Sequence, residues 1–217
     1  MAKWAVFDVD GTLLPESSME RLFLRESVKK RLIPRRNFLR YALTAAGLLM
    51  AGKINDAFKK NKSFMKNLPV EAIESAAKAC FKSTIAPQLS AEGLEVVNRR
   101  RQHGYKILLM TGSPEFLARH LKPLYQPDEL VCLHLETAGE VYSGKVEGLH
   151  PFGQRKKEIL LRLQDELDIN FRESAVFANH HSDAPHMELF GEAVAVNPTP
   201  KLREIAGERR WAIASWD

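Results

Sequence analysis

The chain has 217 residues, 45% hydrophobic and 27% charged, which fits a globular domain of good size or a core carrying an insertion, and excludes a disordered or fibrous polymer. No apolar run approaches the roughly 18 residues of a membrane span, nothing at the start resembles a leader, and Cys80 and Cys132 have neither CxxC spacing nor a pairing pattern, so a cytoplasmic protein with reduced core cysteines is expected. The net charge of +5 is concentrated: Arg25, Lys29, Lys30, Arg31, Arg35, Arg36 and Arg40 stand against Glu26 alone.

Taken in chain order, residues 3–8, "KWAVFD", form a short apolar run rich in strand formers and broken by Gly11, which predicts a buried strand. From about Glu16 to Thr84 the pattern is helical. "SSMERLFLRESVKKRL" has helix-spaced apolar residues behind a serine cap, and Pro34 ends it. "RRNFLRYALTAAGLLMAG", "INDAFKKNKSFMKNL" and "PVEAIESAAKACFKST" follow, giving about four helices and no strand. The pattern then alternates. A serine-capped helix ending at Gly104 precedes the strand "YKILLMT"; the helix "SPEFLARHLKPLY", the strand "ELVCLH" and a glycine-punctuated hairpin over 135–149 come next. The amphipathic helix "QRKKEILLRLQDEL", the strand "SAVFA", a short helix "DAPHMELFG", the strand "EAVAVNP", the helix "TPKLREIAG" and a last strand "RWAIASW" complete the chain. Strands alternating with helices predict an α/β, Rossmann-like, doubly wound and mostly parallel sheet. The predicted organisation is a catalytic core of residues 1–14 and 89–217, with 15–88 as a helical cap inserted after the first strand.

Ligands of such sheets sit beyond the carboxyl ends of the strands. The first strand ends in Asp8, Asp10, Gly11 and Thr12, the second in Thr111, Gly112 and Ser113, and the fourth in Asn179 to Asp183, while Lys156 starts the helix before that fourth strand. A carboxylate pair, a hydroxyl with backbone amides, a lysine and two further oxygen ligands could together hold a divalent cation and a phosphate. A calcium loop is a poor alternative for Asp8-x-Asp10-Gly11, because an EF-hand follows a helix and places its glycine at the sixth loop position.

These segments carry a resemblance. "FDVDGTLL", "ILLMTGSPEFL", "KKEILLRL" and "FANHHSDAPHMELFGEAVAVNP" resemble, in order, the four motifs of the haloacid-dehalogenase-like (HAD) phosphohydrolase superfamily, and the helical insertion after the first motif is similar to the phosphoserine-phosphatase-like subgroup. The resemblance implies a Mg²⁺-dependent phosphomonoester hydrolase. Asp8 would be the nucleophile forming an aspartyl-phosphate, and Asp10 the general acid and then base. Thr111 and the amides after it would hold phosphoryl oxygens, and Lys156 would neutralise charge; Lys156 is preferred to Lys157 because it stands four residues before Leu160. Gly11, Thr12, Gly112 and Ser113 are the implied substrate contacts, His180 is a further candidate for one, and Asp8, Asp10, Asn179 and Asp183 are the implied Mg²⁺ ligands.

The fourth motif departs from the family pattern: Ala178 replaces its glycine and Asn179 its first aspartate. An amide oxygen is still a hard ligand, but the site loses one negative charge. The alternative reading is therefore a catalytically impaired phosphate-binding or membrane-surface protein of the same fold. His180 and His181 fall where the motif varies, and metal ligation, a substrate contact and no role all stand open. The substrate is expected to be a small phosphorylated metabolite or a lipid phosphate. "PESSMERLF" has serine where phosphoserine phosphatases usually carry a glutamate, with Glu16 and Glu20 on either side, which argues against phosphoserine. The basic block followed by "YALTAAGLLMAG" reads either as a solvated face leading into a buried helix or as a peripheral contact, through residues 25–52, with anionic membrane or an anionic substrate. Nucleic acid is not expected, because no aromatic residues interleave with the basic ones.

Overall fold

The computed structural model describes residues 1–52 and 61–216. A seven-stranded sheet runs through it in the order β4-β3-β2-β1-β5-β6-β7. Its strands are β1 (Trp4–Asp8), β2 (Lys106–Pro114), β3 (Glu129–Ala138), β4 (Val141–Glu147), β5 (Ala175–Ala178), β6 (Glu192–Val196) and β7 (Ala212–Ala214). All neighbours are parallel except β3 and β4, which form an antiparallel hairpin. This is the α/β, doubly wound architecture that alternating strands and helices predict. β1 is buried along its whole length between β2 and β5, and the strand order reverses direction there, which is where such sheets open a crevice.

Alternation along β1 feeds two cores. Ala5 and Phe7 point into a layer with α1 (Met19–Lys29), α3 (Val70–Cys80) and α4 (Ala91–Gln102). Trp4 and Val6 point into the opposite layer, with Leu160 of α7 (Gln154–Glu166), Met187 of α8 (Ala184–Met187) and Leu202 of α9 (Pro200–Arg209). By the same period the Asp8 side chain leaves the strand on the α7 side. The rings of Phe7 and Phe177 stack at 4.4 Å across β1 and β5, and Trp216 leans on both. Asn197 fixes Trp216 with two hydrogen bonds of 2.8 and 2.9 Å.

Between β1 and β2 lie α1, α2 (Arg35–Met50), a 3-10 turn at Ser63–Met65, and α3, whose last turn widens into a π turn at Phe81–Ile85. The expected helix over 54–68 falls partly outside the described residues, and the part inside holds only the 3-10 turn. Here the backbone turns to the sheet instead: Asn67 N donates to the Tyr142 carbonyl and Tyr142 N to that of Leu68, so the hairpin supports the inserted helices.

Other boundaries differ from the sequence reading for local reasons. β2 continues through Thr111 to Pro114, with an irregularity against β3 between Met110 and Pro114, and the expected helix over 113–125 is two short helices, α5 (Glu115–Ala118) and α6 (Lys122–Tyr125), with Pro123 in the first turn of the second. "ELVCLH" and the first arm of the hairpin are one strand, β3, because its N-terminal half pairs with β2 and its C-terminal half with β4. Cys80 and Cys132 are buried and free. No helix among the described residues is long and apolar enough to cross a membrane. On α2, however, Leu39, Leu43 and Met50 are exposed.

One buried side chain ties the insertion together. Asn37, at the start of α2, donates to the carbonyls of Phe64 and Lys66 at 2.8 and 2.9 Å. Asn37→Ala leaves both acceptors without this donor and should lower stability by about 2 kcal/mol, read as a lower midpoint in urea denaturation.

Candidate active site

The loop after β1 folds back on itself: Gly11 N donates to the Leu14 carbonyl, and Thr12 N and Leu14 N both donate to that of Val9. Gly11 is required at its place twice over. Its φ is +89°, and a Cβ there would lie 2.0 Å from Asn179 Nδ2. The β1 loop and the β5 loop thus touch at a position where only a glycine leaves room.

Asp8 is buried and held at both oxygens. Lys156 Nζ donates to Oδ1 at 2.6 Å and Thr12 Oγ1 to Oδ2 at 3.0 Å. The same ammonium lies 2.9 Å from Asp183 Oδ1, so one lysine bridges two carboxylates. Of the two adjacent lysines it is Lys156 that points inward, on the same face of α7 as Leu160. Burial pushes the Asp8 carboxyl up to about 7, against the pull of Lys156 and with the help of Asp183. At Asp183 burial acts in the same sense, but the neighbouring groups together, Lys156 first among them, reverse it and hold that carboxyl below its usual range. Burial would lower the Lys156 pKa; Asp183 and Asp8 more than reverse this, and it stays a cation. Behind Asp183, His186 is buried with Nδ1 at 3.9 Å from Oδ1, and burial takes its pKa down to about 3, so the ring is neutral.

Asp10 has different partners. Thr111 Oγ1 and Ser113 Oγ donate to Oδ2 at 2.7 and 2.8 Å, and the Met19 amide at the start of α1 donates to Oδ1 at 2.8 Å. The loop after β2 and the first inserted helix therefore both orient this carboxylate. Asp8, Asp10, Gly11, Gly112, Ser113, Lys156, Asn179, His180 and Asp183 line one cleft of about 1070 Å³. Thr12 and Thr111 are expected to meet the substrate, but both are fully buried behind the cleft: Thr12 orients Asp8, and Thr111 donates to Asp10 while accepting from the Ser113 amide at 3.0 Å. His180 faces the cleft with Nδ1 bonded to Ser182 Oγ at 2.8 Å, and its ring packs on His181 at 4.1 Å.

Several lining residues escape the sequence reading. His150, close to Gly112 with Nε2 3.2 Å from its carbonyl, precedes α7 in a loop with no motif. Lys62 and Arg21 sit among other charged residues that look solvated, yet Lys62 is 3% exposed and paired with Glu20. Only the contacts of the folded chain distinguish it from its neighbours.

A metal would find hard oxygen donors here: the carboxylates of Asp8 and Asp183, the amide of Asn179 and the carbonyl of Asp10. No group of three or more His, Cys, Asp and Glu side chains among the described residues forms a ready cage. That donor set fits Mg²⁺, which takes one or two carboxylates and completes its shell with water and phosphate.

The model of the haloacid dehalogenase-like hydrolases matches residues 5–188. The chain belongs to this family. Phosphoserine phosphatase SerB1 of Mycobacterium tuberculosis is 24% identical over 214 residues, covering 96% of this chain and 69% of its own. Among solved structures, a Bordetella pertussis protein of unknown function superposes with a TM-score of 0.81 at 21% identity, over 99% of this chain and 98% of that one. A phospho-aspartyl intermediate analogue of phosphoserine phosphatase superposes at 0.69 and 22% identity, over 99% and 93%. Family and relatives together support a phosphatase, and the structures show the same fold.

The contact between Gly11 and Asn179 can be measured in this hydrolase. Gly11→Ala should cost about 1–2 kcal/mol from the left-handed backbone plus the displacement of Asn179. In an Asn179→Ala background the second part should vanish, so a double-mutant cycle by chemical denaturation should show non-additivity.

Proposed function

We propose that the chain is a Mg²⁺-dependent phosphomonoesterase that works through an aspartyl-phosphate on Asp8. The observation that carries the reading is the unequal treatment of two carboxylates at one strand end: Asp8 bound to a buried ammonium, Asp10 held by a hydroxyl pair and a helix amide. In the first step an Asp8 oxygen bonds to phosphorus as the bond to the leaving alkoxide breaks, and Asp10 gives that alkoxide its proton. In the second, Asp10 takes a proton from water, the water oxygen bonds to phosphorus, and the Asp8–phosphorus bond breaks. Lys156 stays charged throughout and offsets the negative charge gathered around Asp8. In this reading the Gly112 amide meets a phosphoryl oxygen, while the Gly11 amide is taken by the Leu14 carbonyl and the Ser113 hydroxyl by Asp10. Asp8, the Asp10 carbonyl, Asn179 and Asp183 would hold Mg²⁺, which would supply positive charge between an anionic nucleophile and a phosphate dianion. The substrate is a phosphorylated small molecule, in keeping with the relatives' names.

The test is release of phosphate from p-nitrophenyl phosphate. Turnover should need Mg²⁺ and stop with chelator. Asp8→Asn should abolish it, and Asp10→Asn should slow it by about 10²–10⁴-fold. Undiminished turnover by Asp8→Asn would exclude the covalent intermediate.

A second reading concerns location. Exposed Leu39, Leu43 and Met50 share α2 with Arg35, Arg36 and Arg40, an arrangement that supports peripheral contact with anionic lipid. Vesicles containing anionic lipid should then co-sediment the protein at low salt and release it at high salt. Equal sedimentation with neutral vesicles would remove the electrostatic part of this reading.

A further inference from the structure

A second cavity, of about 310 Å³, adjoins the cleft. Ser18, Glu20, Arg21 and Lys62 line both spaces. Past them the walls change character: Leu24 of α1, Phe38 and Tyr41 of α2, and Phe64 of the 3-10 turn face inward. The rings of Tyr41 and Phe64 meet edge to face at 5.9 Å, and Asn61 Nδ2 holds the Tyr41 carbonyl at 3.1 Å, so the wall is braced.

Two of the three charges at the junction, Glu20 and Lys62, compensate each other, and the third, Arg21, is exposed to solvent. Lys62 is buried and its ammonium is engaged by Glu20. A pair withdrawn from water in this way is a weak source of stability. It does, however, fix two long side chains as a wall and leaves each charge compensated. Beyond that polar mouth the walls contributed by Leu24, Phe38, Tyr41 and Phe64 suit carbon rather than an ion, and the chamber's size is at the lower end for small-molecule sites.

Reaction geometry directs the substrate toward it. In-line displacement puts the leaving oxygen on the side of phosphorus opposite Asp8. Asp8 stands on the floor of the cleft at the end of β1, so the leaving group points away from the sheet and toward the inserted helices. α1 supplies Glu20, Arg21 and Leu24 to that side.

We propose that this side cavity receives the apolar end of the leaving group, so that the protein selects phosphomonoesters of alkyl or aryl alcohols several carbons long over those of small polar alcohols. The inference rests on the phosphatase reading of the main cleft, and it names the substrate class of that site.

The experiment separates the two. Calorimetric binding of alkylphosphonates from methyl to octyl is measured beside phosphate release from the matching alkyl phosphates, with Mg²⁺. Affinity should tighten by about fourfold per methylene over the first few carbons and then level off as the cavity fills. Leu24→Trp, which fills the space, should flatten the rise, and Phe38→Ala, which enlarges it, should move the plateau to longer chains. kcat/KM should follow the same slope. Binding independent of chain length in the unmodified protein overturns the inference even if every ester is hydrolysed. An unchanged slope in both variants also overturns it, by placing the apolar contact elsewhere. Chain-dependent binding without turnover would keep the side cavity and defeat the phosphatase reading.

Discussion

Two carboxylates, Asp8 and Asp183, are buried at the bottom of the cleft, and a single ammonium, that of Lys156, lies between them at 2.6 and 2.9 Å. Removing such charges from water costs several kcal/mol per ion unless they are paired and hydrogen-bonded. The fold meets that condition by bringing three elements to one point. β1 supplies Asp8, the start of α7 supplies Lys156, and the turn after β5 supplies Asp183. Each depends on packing below the site. The Phe7 and Phe177 stack sets β1 beside β5, and Leu160, one turn along α7, anchors the helix that carries the lysine.

The site is built from unlike halves. The Asp8 half is closed, cationic at its centre and backed by neutral His186. The Asp10 half is polar and is shared between the sheet and the insertion, because its carboxylate takes hydrogen bonds from both Ser113 and Met19. A shift of α1 relative to β2 would therefore disturb Asp10 and leave Asp8 in place. That links the position of the inserted helices, which also form the side cavity, to the group assigned to protonate the leaving alkoxide.

Asn179 is best understood through its neighbour. It lies over Gly11, where any side chain would collide with it, and its own carbonyl accepts the Thr199 amide at 2.9 Å. The amide side chain thus contributes to the junction of the two loops besides offering an oxygen to a cation. A neutral amide at this position, beside two carboxylates around one ammonium, adds no repulsion and gives less attraction for a divalent ion than a carboxylate would.

The amino-acid sequence by itself determined the α/β class, the central buried strand and the family. Those depend on local patterns: apolar runs of strand length, capped helices, and short motifs such as "FDVDGTLL" whose spacing is written in the chain. It also located Asp8, Asp10, Asn179 and Asp183 at strand ends, because strand boundaries are punctuated by glycine and acidic residues. What only the tertiary structure decided is how these groups divide their partners. That Thr111 stands behind Asp10, and that Lys62 is buried against Glu20, follow from contacts between residues 101 and 42 positions apart. No periodicity records such contacts, since burial of a charge is set by what packs over it from elsewhere in the chain and not by the residues beside it.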